Sequence, residues 1–166
     1  MSQHTVVTIG VFDGVHRGHS ALLDTTLGLA STEGMRSAVV TFHPHPKSVV
    51  RGLDMPLLAT VARRSRLLEQ RGIEHVHVVD FDVARSQQAP EAFVQEILIE
   101  QLQASIVVVG EGFRFGRGAA GTAATLRDAG LVVHELPIVN AVDLRDADAV
   151  GDRLPRHVPL RWPDRR

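Results

Sequence analysis

Residues 6–19 read VVTIGVFDGVHRGH, and the fold of the chain can be predicted outward from them. It opens with the apolar and β-branched run of a buried strand and leads into an apolar stripe of helical spacing that starts at Leu22. A strand that passes through glycines into a helix is the first unit of a doubly wound α/β sheet. In that fold the strand-to-helix loop presents helix N–H groups to an anion. The stretch therefore predicts a phosphate-binding loop.

The polar side chains of this loop are the candidates for chemistry. His16 and His19 lie three residues apart and suit contact with the same phosphate groups, where a histidine donates to an oxygen whose charge grows. Asp13 suits a magnesium ion or the orientation of an imidazole. Gly10 allows close backbone approach to a ligand, and Gly18 lets the chain turn into the helix. Two other interpretations stay open: solvent-facing or structural histidines, and a metal site with two ligands only.

The rest of the chain alternates strand and helix. Apolar runs predict strands over Val6–Val11, Ser37–Phe42, His75–Val79, Ser105–Val109 and Leu131–Leu136. Apolar stripes and caps predict helices over Leu22–Glu33, Val61–Arg71, Pro90–Leu102 and Gly121–Ala129. This order predicts an α/β, Rossmann-like doubly wound parallel sheet of about five strands with flanking helices. It predicts one domain over residues 1–137. Residues 138–166 follow as a divergent, partly irregular segment with a short helix near Asp143–Val150.

Composition narrows the class of protein. The formal net charge is −1, so there is no bulk electrostatic case for nucleic acid or a membrane surface as a partner. The chain has no cysteine, which excludes disulfides and thiolate metal sites and suits a cytoplasmic protein. No apolar run approaches the ~18–20 residues that cross a bilayer, and the first residues do not resemble a signal peptide. We therefore expect a cytoplasmic protein that binds small molecules.

The loop also resembles a known signature. GVFDGVHRGH (residues 10–19) is similar to the GxFDGxHxGH motif of the FAD synthetase module of bacterial bifunctional riboflavin kinase/FAD synthetases, members of the HxGH nucleotidyltransferase superfamily. TFHPHP (41–46) resembles the family's TFxPHP, and VVVGEGFRFGRGAAG (107–121) resembles VVGxDFRFGxxRxG. GIEHVHVVDFD and SQQAPEAFVQEILIEQL resemble two further family segments. The resemblance covers residues 5 to 137.

The resemblance implies an FMN adenylyltransferase that takes AMP from ATP, with Mg²⁺, and joins it to FMN to give FAD and pyrophosphate. It implies that His16, His19 and Asp13 carry the catalysis. The nucleotide-binding residues that it implies are Gly10, Phe12, Gly18, Gly110, Phe113, Arg114, Phe115 and Gly116. The loop that it places near the flavin phosphate and the metal contains Thr41, His43, Pro44, His45 and Pro46. Without the first motif, these histidines and phenylalanines would be interpreted as an exposed turn and ordinary core residues.

The sequence departs from the family pattern in three places. Only 29 residues follow residue 137, so we expect no riboflavin kinase module in this chain. Gly112 stands where relatives carry Asp or Asn, which removes a side chain that contacts nucleotide or metal. IVNAVDLRDADAV stands in place of the phosphate-binding ISSTxIR, with Arg145 as a possible substitute cation. Arg114, Arg117 and Lys47 are further candidates for that cation.

Three functions are compatible with these departures. The first is FMN adenylyl transfer. The second is a nucleotidyltransferase of the same fold with another phosphorylated acceptor or nucleoside triphosphate, because a smaller residue at Gly112 widens the pocket. The third is a catalytically weak paralogue that binds nucleotide or flavin and acts through a partner.

Overall fold

The computed structural model describes residues 4–12, 17–52 and 60–137. In these residues one sheet holds five parallel strands in the order β3-β2-β1-β4-β5. The strands are β1 (Thr5–Ile9), β2 (Arg36–His43), β3 (His75–Asp80), β4 (Ala104–Gly110) and β5 (Val132–Leu136). Each predicted strand is present within two residues of its predicted bounds. The predicted Rossmann-like α/β class is thereby confirmed.

Helices connect the strands. They are α1 (Arg17–Glu33), α2 (Pro46–Arg51), α3 (Val61–Gln70), α4 (Val83–Ser86), α5 (Pro90–Phe93) and α6 (Ala123–Asp128). The chain continues from α5 directly into a π-helical segment, Val94–Gln101, and a 3₁₀ turn occupies Arg117–Ala119. The four predicted helices are present. The helix predicted over Pro90–Leu102 changes type along its length: after one α-turn the hydrogen bonds widen to the i→i+5 spacing, as from the Leu102 N–H to the Ile97 carbonyl.

The core lies on both faces of the sheet, which explains why the strand sequences are apolar at consecutive positions. On one face Val6 packs in a cluster with Leu22 of α1 and Leu68 of α3. On the other face Val7 belongs to a cluster with Ile97 of the π-helical segment and Leu126 of α6. Each central strand therefore buries its odd and its even residues.

The strand order fixes where a ligand can bind. The chain runs from β1 outward to β2 and β3, then returns to place β4 on the other side of β1. The switch point lies between β1 and β4, and the crevice there opens at the carboxyl ends of the strands. The loops after β1, β2 and β4, which carry the three main sequence motifs, share this edge of the sheet. Among the described residues no helix is long and apolar enough to span a membrane.

The short elements escaped prediction. Helices α2 and α4 have six and four residues, too few to show an apolar period, and the 3₁₀ turn has three. The predicted helix near Asp143–Val150 and the rest of 138–166 lie outside the described residues, so the predicted division at residue 137 stays a prediction.

His77, on the edge strand β3, lies in surroundings that disfavour its protonated form. Burial lowers the pKa of His77 below 6.5, and the charges of His75 and Arg85 lower it further. The unfolded chain therefore binds a proton at this residue at higher pH than the folded protein does. As the pH falls below 6.5, we expect the free energy of unfolding to decrease, and His77→Gln to reduce that decrease.

Urea unfolding measures the free energy of unfolding of the wild type and of His77→Gln. It is carried out at pH values above and below the pKa of free histidine. Equal pH dependence in the two proteins would contradict the assignment to His77.

Candidate active site

The glycine-histidine loop begins where β1 leaves the sheet. The Gly10 N–H makes the last ladder-like bond, 3.0 Å to the Val40 carbonyl. Phe12 is fully buried with a φ of 55°, a left-handed backbone conformation that is rare outside glycine. His19 is also fully buried in the first turn of α1, with its ring centroid 4.9 Å from that of Phe12. The predicted position of His19 on the first helical turn is therefore confirmed, and Gly18 precedes it in the same turn.

Three predicted site residues, Asp13, His16 and Arg145, lie outside the described residues. Thr41 is described and fully buried, and its hydroxyl donates a 2.6 Å hydrogen bond to the Val11 carbonyl. In this structure Thr41 thus links β2 to the start of the glycine-histidine loop.

Arg64 of α3 is the second group that holds this junction. Its side chain is fully buried, with Nη1 donating to the Val11 carbonyl at 3.0 Å and Nη2 donating to the Phe42 carbonyl at 3.3 Å. Val11 lies in the first motif, two residues after β1 ends, and Phe42 lies in the second motif, one residue before β2 ends. One guanidinium therefore fixes the points at which both loops leave the sheet.

Sequence reasoning missed Arg64, although a signal was present. Arg64 stands one helical turn before the buried Leu68, on the same face of α3. Its neighbours Arg63 and Arg66 are exposed. An arginine on the apolar stripe of a helix, where the period predicts a buried residue, indicates a buried cation with backbone partners.

The loop after β2 turns into α2 beside an apolar cavity. His43 and Pro44 are exposed, and the His43 carbonyl accepts from the Phe81 N–H at 2.9 Å. His45 and Pro46 are half-buried and line the cavity. The structure thus divides the predicted loop into an exposed half and a half that faces the cavity.

The loop after β4 closes the other side of the cavity. It turns sharply at Gly110 to Phe113, where Gly112 has a φ of 78°. Asp and Asn also tolerate this left-handed conformation, so glycine in their place removes a side chain without requiring a new backbone path. Further along, Phe115 and Gly121 exchange two backbone hydrogen bonds of 3.1 and 2.7 Å, and the Arg117 N–H donates to the Gln88 carbonyl.

The cavity between these loops has a volume of about 470 Å³, within the range of small-molecule sites. Its walls collect five of the six phenylalanines of the chain: Phe42, Phe81, Phe93, Phe113 and Phe115. The rings of Phe113 and Phe115 lie nearly parallel with centroids 5.4 Å apart, and Phe115 also contacts Phe93 at 5.8 Å. Phe81 and Phe115 are only half-buried, so part of each ring is open to a ligand. Flat, aromatic walls of this kind suit a planar ring.

The charged side chains that line the cavity are all basic. Arg51, Arg85 and Arg114 line it, together with His45, and none of its described lining residues is Asp or Glu. Arg85 differs from the other two because Glu96, just outside the cavity, pairs with its Nη1. Hydrogen bonds from Gln88 and from Arg85 lower the pKa of the Glu96 carboxyl, which is therefore ionised at neutral pH. The cavity as a whole favours an anionic ligand with an aromatic part.

The predicted residues thus fall into two groups at one edge of the sheet. Gly10, Phe12, Gly18, His19 and Gly110 lie at the ends of β1 and β4 and the start of α1. The residues that meet at the cavity are His45, Pro46, Phe113, Arg114, Phe115 and Gly116. Sequence reasoning did not find Arg51, Arg85 or Gln88, because nothing in a linear pattern separates a cavity arginine from a solvated one.

The part of the chain that the structure describes holds no group of three His, Asp or Glu side chains suited to a metal ion. Magnesium is commonly held by one or two carboxylates together with substrate phosphates. Asp13, directly after Phe12, has the donor chemistry for that arrangement.

The parallel sheet and its switch point define a Rossmann-like α/β protein, with the candidate site at the carboxyl edge of the sheet. The chain belongs to the FAD synthetase family, whose model matches residues 1–149. It is 33% identical over 126 residues to the bifunctional riboflavin kinase/FMN adenylyltransferase of Bacillus subtilis, covering 75% of this chain and 40% of the relative. It is 33% identical over 129 residues to the FAD synthetase of Listeria monocytogenes, covering 76% and 52%.

A solved structure shares the fold. The crystal structure described as a macrolide-efflux protein from Streptococcus pneumoniae superposes with a TM-score of 0.74 at 25% identity, covering 89% of this chain and 52% of that one. The chain spans about two fifths to one half of the length of these relatives. The resemblance seen in the motifs is thereby confirmed as family membership.

Removing the Arg64 guanidinium should destabilise the fold. Arg64→Met leaves two buried carbonyls without their charged donor, so we expect the free energy of unfolding to fall by about 2–3 kcal/mol. Arg66→Met, on the exposed side of the same helix, should change it by no more than about 0.5 kcal/mol. Chemical denaturation measures both, and equal effects would contradict the role given to Arg64.

The loop after β4 depends on contact with Pro90. A Cβ at Gly116 would lie 2.6 Å from Pro90 Cγ and 2.9 Å from Pro90 Cα, whereas one at Gly118 meets nothing within 4 Å. Both glycines have positive φ, and alanine costs about 1–2 kcal/mol of backbone strain at Gly118. The cost is higher at Gly116, whose ψ of −179° lies in a region that essentially only glycine adopts. Gly116→Ala should cost about 1–3 kcal/mol more than Gly118→Ala in the same denaturation experiment. A larger loss of stability for Gly118→Ala than for Gly116→Ala would show that the loop moves away from Pro90 at little cost.

Proposed function

We propose that this protein is an FMN adenylyltransferase, which transfers AMP from ATP to FMN and releases pyrophosphate. The cavity carries the proposal. Five phenylalanines form its walls, and the charged side chains that line it are arginines, at the sheet edge where the glycine-histidine loop lies. FMN combines a planar, largely apolar ring system with a phosphate dianion, and this cavity offers partners for both.

The ring system is assigned to the aromatic walls. The half-buried rings of Phe81 and Phe115 provide open faces, and offset or edge contacts between aromatic rings add to the free energy gained from burying their area. The resemblance implies that Phe113–Gly116 lie beside the nucleotide and His45 beside the flavin phosphate, but these residues share one cavity. We therefore assign Phe113–Gly116 to the acceptor, and Gly10, Phe12, Gly18 and Gly110 to the nucleotide.

The phosphates are assigned to the space between the cavity and the start of α1. The first N–H groups of that 17-residue helix have no partner within the helix and favour an anion. His19 lies in the same turn, and His16 precedes it by three residues. Asp13 would hold Mg²⁺ on the triphosphate, where the ion neutralises phosphate charge.

The reaction needs positioning more than covalent help from the protein. An oxygen of the FMN phosphate forms a bond to the α-phosphorus of ATP, and the bond from that phosphorus to the bridging oxygen breaks, so that pyrophosphate leaves. The two histidines would donate hydrogen bonds to oxygens that gain negative charge. The role of Arg64 would be to keep the two motif loops in register while the reacting atoms align. Because both substrates are metabolites of the cell interior, the proposal includes a cytoplasmic location.

Gly112 supports a second candidate, a protein of the same site that binds nucleotide or flavin with little turnover. The side chain missing there removes a contact that could be worth about 1.5–3 kcal/mol in the transition state, or one to two orders of magnitude in rate. Binding of ATP and FMN without formation of FAD would identify this case. Release of pyrophosphate only with another phosphorylated acceptor would identify a different specificity.

Substitution of His19 tests the catalytic assignment. We expect His19→Asn to reduce FAD formation from ATP, FMN and Mg²⁺ by about 10²–10³-fold, the usual effect of removing one donor to a developing oxyanion. FAD is separated by chromatography and pyrophosphate is measured in parallel.

His4→Asn provides the matched control. His4 lies at the opposite edge of the sheet, where its Nδ1 makes a 2.8 Å hydrogen bond with the Ser105 hydroxyl. A melting temperature for each variant separates loss of fold from loss of chemistry. A folded His19→Asn protein with unchanged turnover would refute the assignment.

A further inference from the structure

One polar network enters the wall of the aromatic cavity. Arg85 and Gln88 line the cavity, and Glu96 fixes both of them from the π-helical segment behind. Arg85 Nη1 donates to Gln88 Oε1 at 2.9 Å and to Glu96 Oε2, and Gln88 Nε2 donates to the same Glu96 oxygen at 2.8 Å. The Arg85 side chain is 23% exposed. Two hydrogen bonds hold the Arg85 side chain, and the third joins its two partners to each other, so its orientation is set before a ligand arrives.

The network leaves donors for a ligand. A guanidinium carries five N–H groups, and the contacts with Gln88 and Glu96 all use Nη1. Nε and Nη2 of Arg85 have no partner among the described residues. These atoms form a planar fork, which suits two acceptor oxygens or an oxygen and a nitrogen in one plane.

The charge balance indicates what kind of acceptor fits. Glu96 already neutralises Arg85, so this guanidinium attracts a phosphate dianion less than Arg51 and Arg114, for which the structure shows no acidic partner among the described residues. A neutral carbonyl edge needs no net charge and accepts the same hydrogen bonds. Arg85 is thus suited to the ring of the acceptor and not to its phosphate.

We propose that Arg85, held by Glu96 and Gln88, is a specificity-determining residue that binds the carbonyl-bearing edge of a planar aromatic ligand. The identity of that ligand rests on the proposed function, in which the edge is the pyrimidine end of the isoalloxazine ring. Val50 and Val83, two exposed valines, line the same cavity and offer apolar contacts to the rest of the ring. The cavity would therefore select both the ring and its orientation.

The test compares riboflavin, which has the ring without the phosphate, with FMN. Isothermal titration calorimetry gives the dissociation constant of each ligand for the wild type and for Arg85→Met. We expect the substitution to weaken both ligands by the same factor, about 10–100-fold, because the lost hydrogen bonds involve the shared ring. Arg85→Lys should weaken both as well, since an ammonium keeps the charge but lacks the planar fork.

Arg127→Met is the matched control. Arg127 also pairs with a glutamate, Glu135 at 3.1 Å, but it does not line the cavity. Its substitution should leave both dissociation constants within about two-fold of the wild type. Infrared spectra of the bound ligand add a direct readout, because hydrogen bonds lower the stretching frequency of the ring carbonyls, and this lowering should disappear in Arg85→Met.

The outcomes separate the two proposals. If Arg85→Met and Arg85→Lys fold and weaken FMN alone, Arg85 contacts phosphate and the inference is overturned. If they fold and weaken neither ligand, it is also overturned, although the proposed function stands. If the wild type binds neither riboflavin nor FMN, the acceptor of the proposed function is wrong, and the isoalloxazine assignment fails with it.

Discussion

A buried cation at the end of the sheet organises the whole functional edge. Past Gly10 the backbones of β1 and β2 separate, and the carbonyls of Val11 and Phe42 no longer have a strand partner. Buried carbonyls without a donor are costly, so each needs a hydrogen bond from elsewhere. Arg64 serves both from one planar group, and Thr41 supplies a second donor to Val11. The two motif loops therefore start from one rigid point. Helix α3 covers the sheet and, through Arg64, also fixes the start of both loops.

The sequence predicts the scaffold because the scaffold follows from local rules. Consecutive apolar residues in β1, β2 and β4 reflect burial on two faces, and the apolar stripes of α1 and α3 reflect one buried side each. The position of His19 on the first helical turn follows from the same reasoning. The cavity does not, since Phe42, Phe81, Phe93, Phe113 and Phe115 have no common period in the sequence. They come together only through the order of the strands, and the polar groups among them look like ordinary surface charges until the fold is known.

The loop after β4 is the element that spans both halves of the candidate site. It starts at the switch point with Gly110, turns at Gly112 and then packs its glycines against Pro90 while its phenylalanines line the cavity. Its backbone also joins the Gln88 carbonyl through Arg117. A displacement of this loop would alter the aromatic walls and the surroundings of Arg85 together. In the proposed function, the same loop would relate the position of the nucleotide to that of its acceptor.

The choice of phenylalanine for every aromatic wall of the cavity has a photophysical consequence. Tyrosine and tryptophan quench an excited flavin by giving it an electron, whereas phenylalanine is too difficult to oxidise to do so. The chain contains no tyrosine, and its one tryptophan is Trp162, outside the described residues. These rings would not quench the green emission of a flavin seated against them, and the flavin would lose its freedom to rotate. Occupancy of the cavity would then be visible in the polarisation of that light, without any label on the protein.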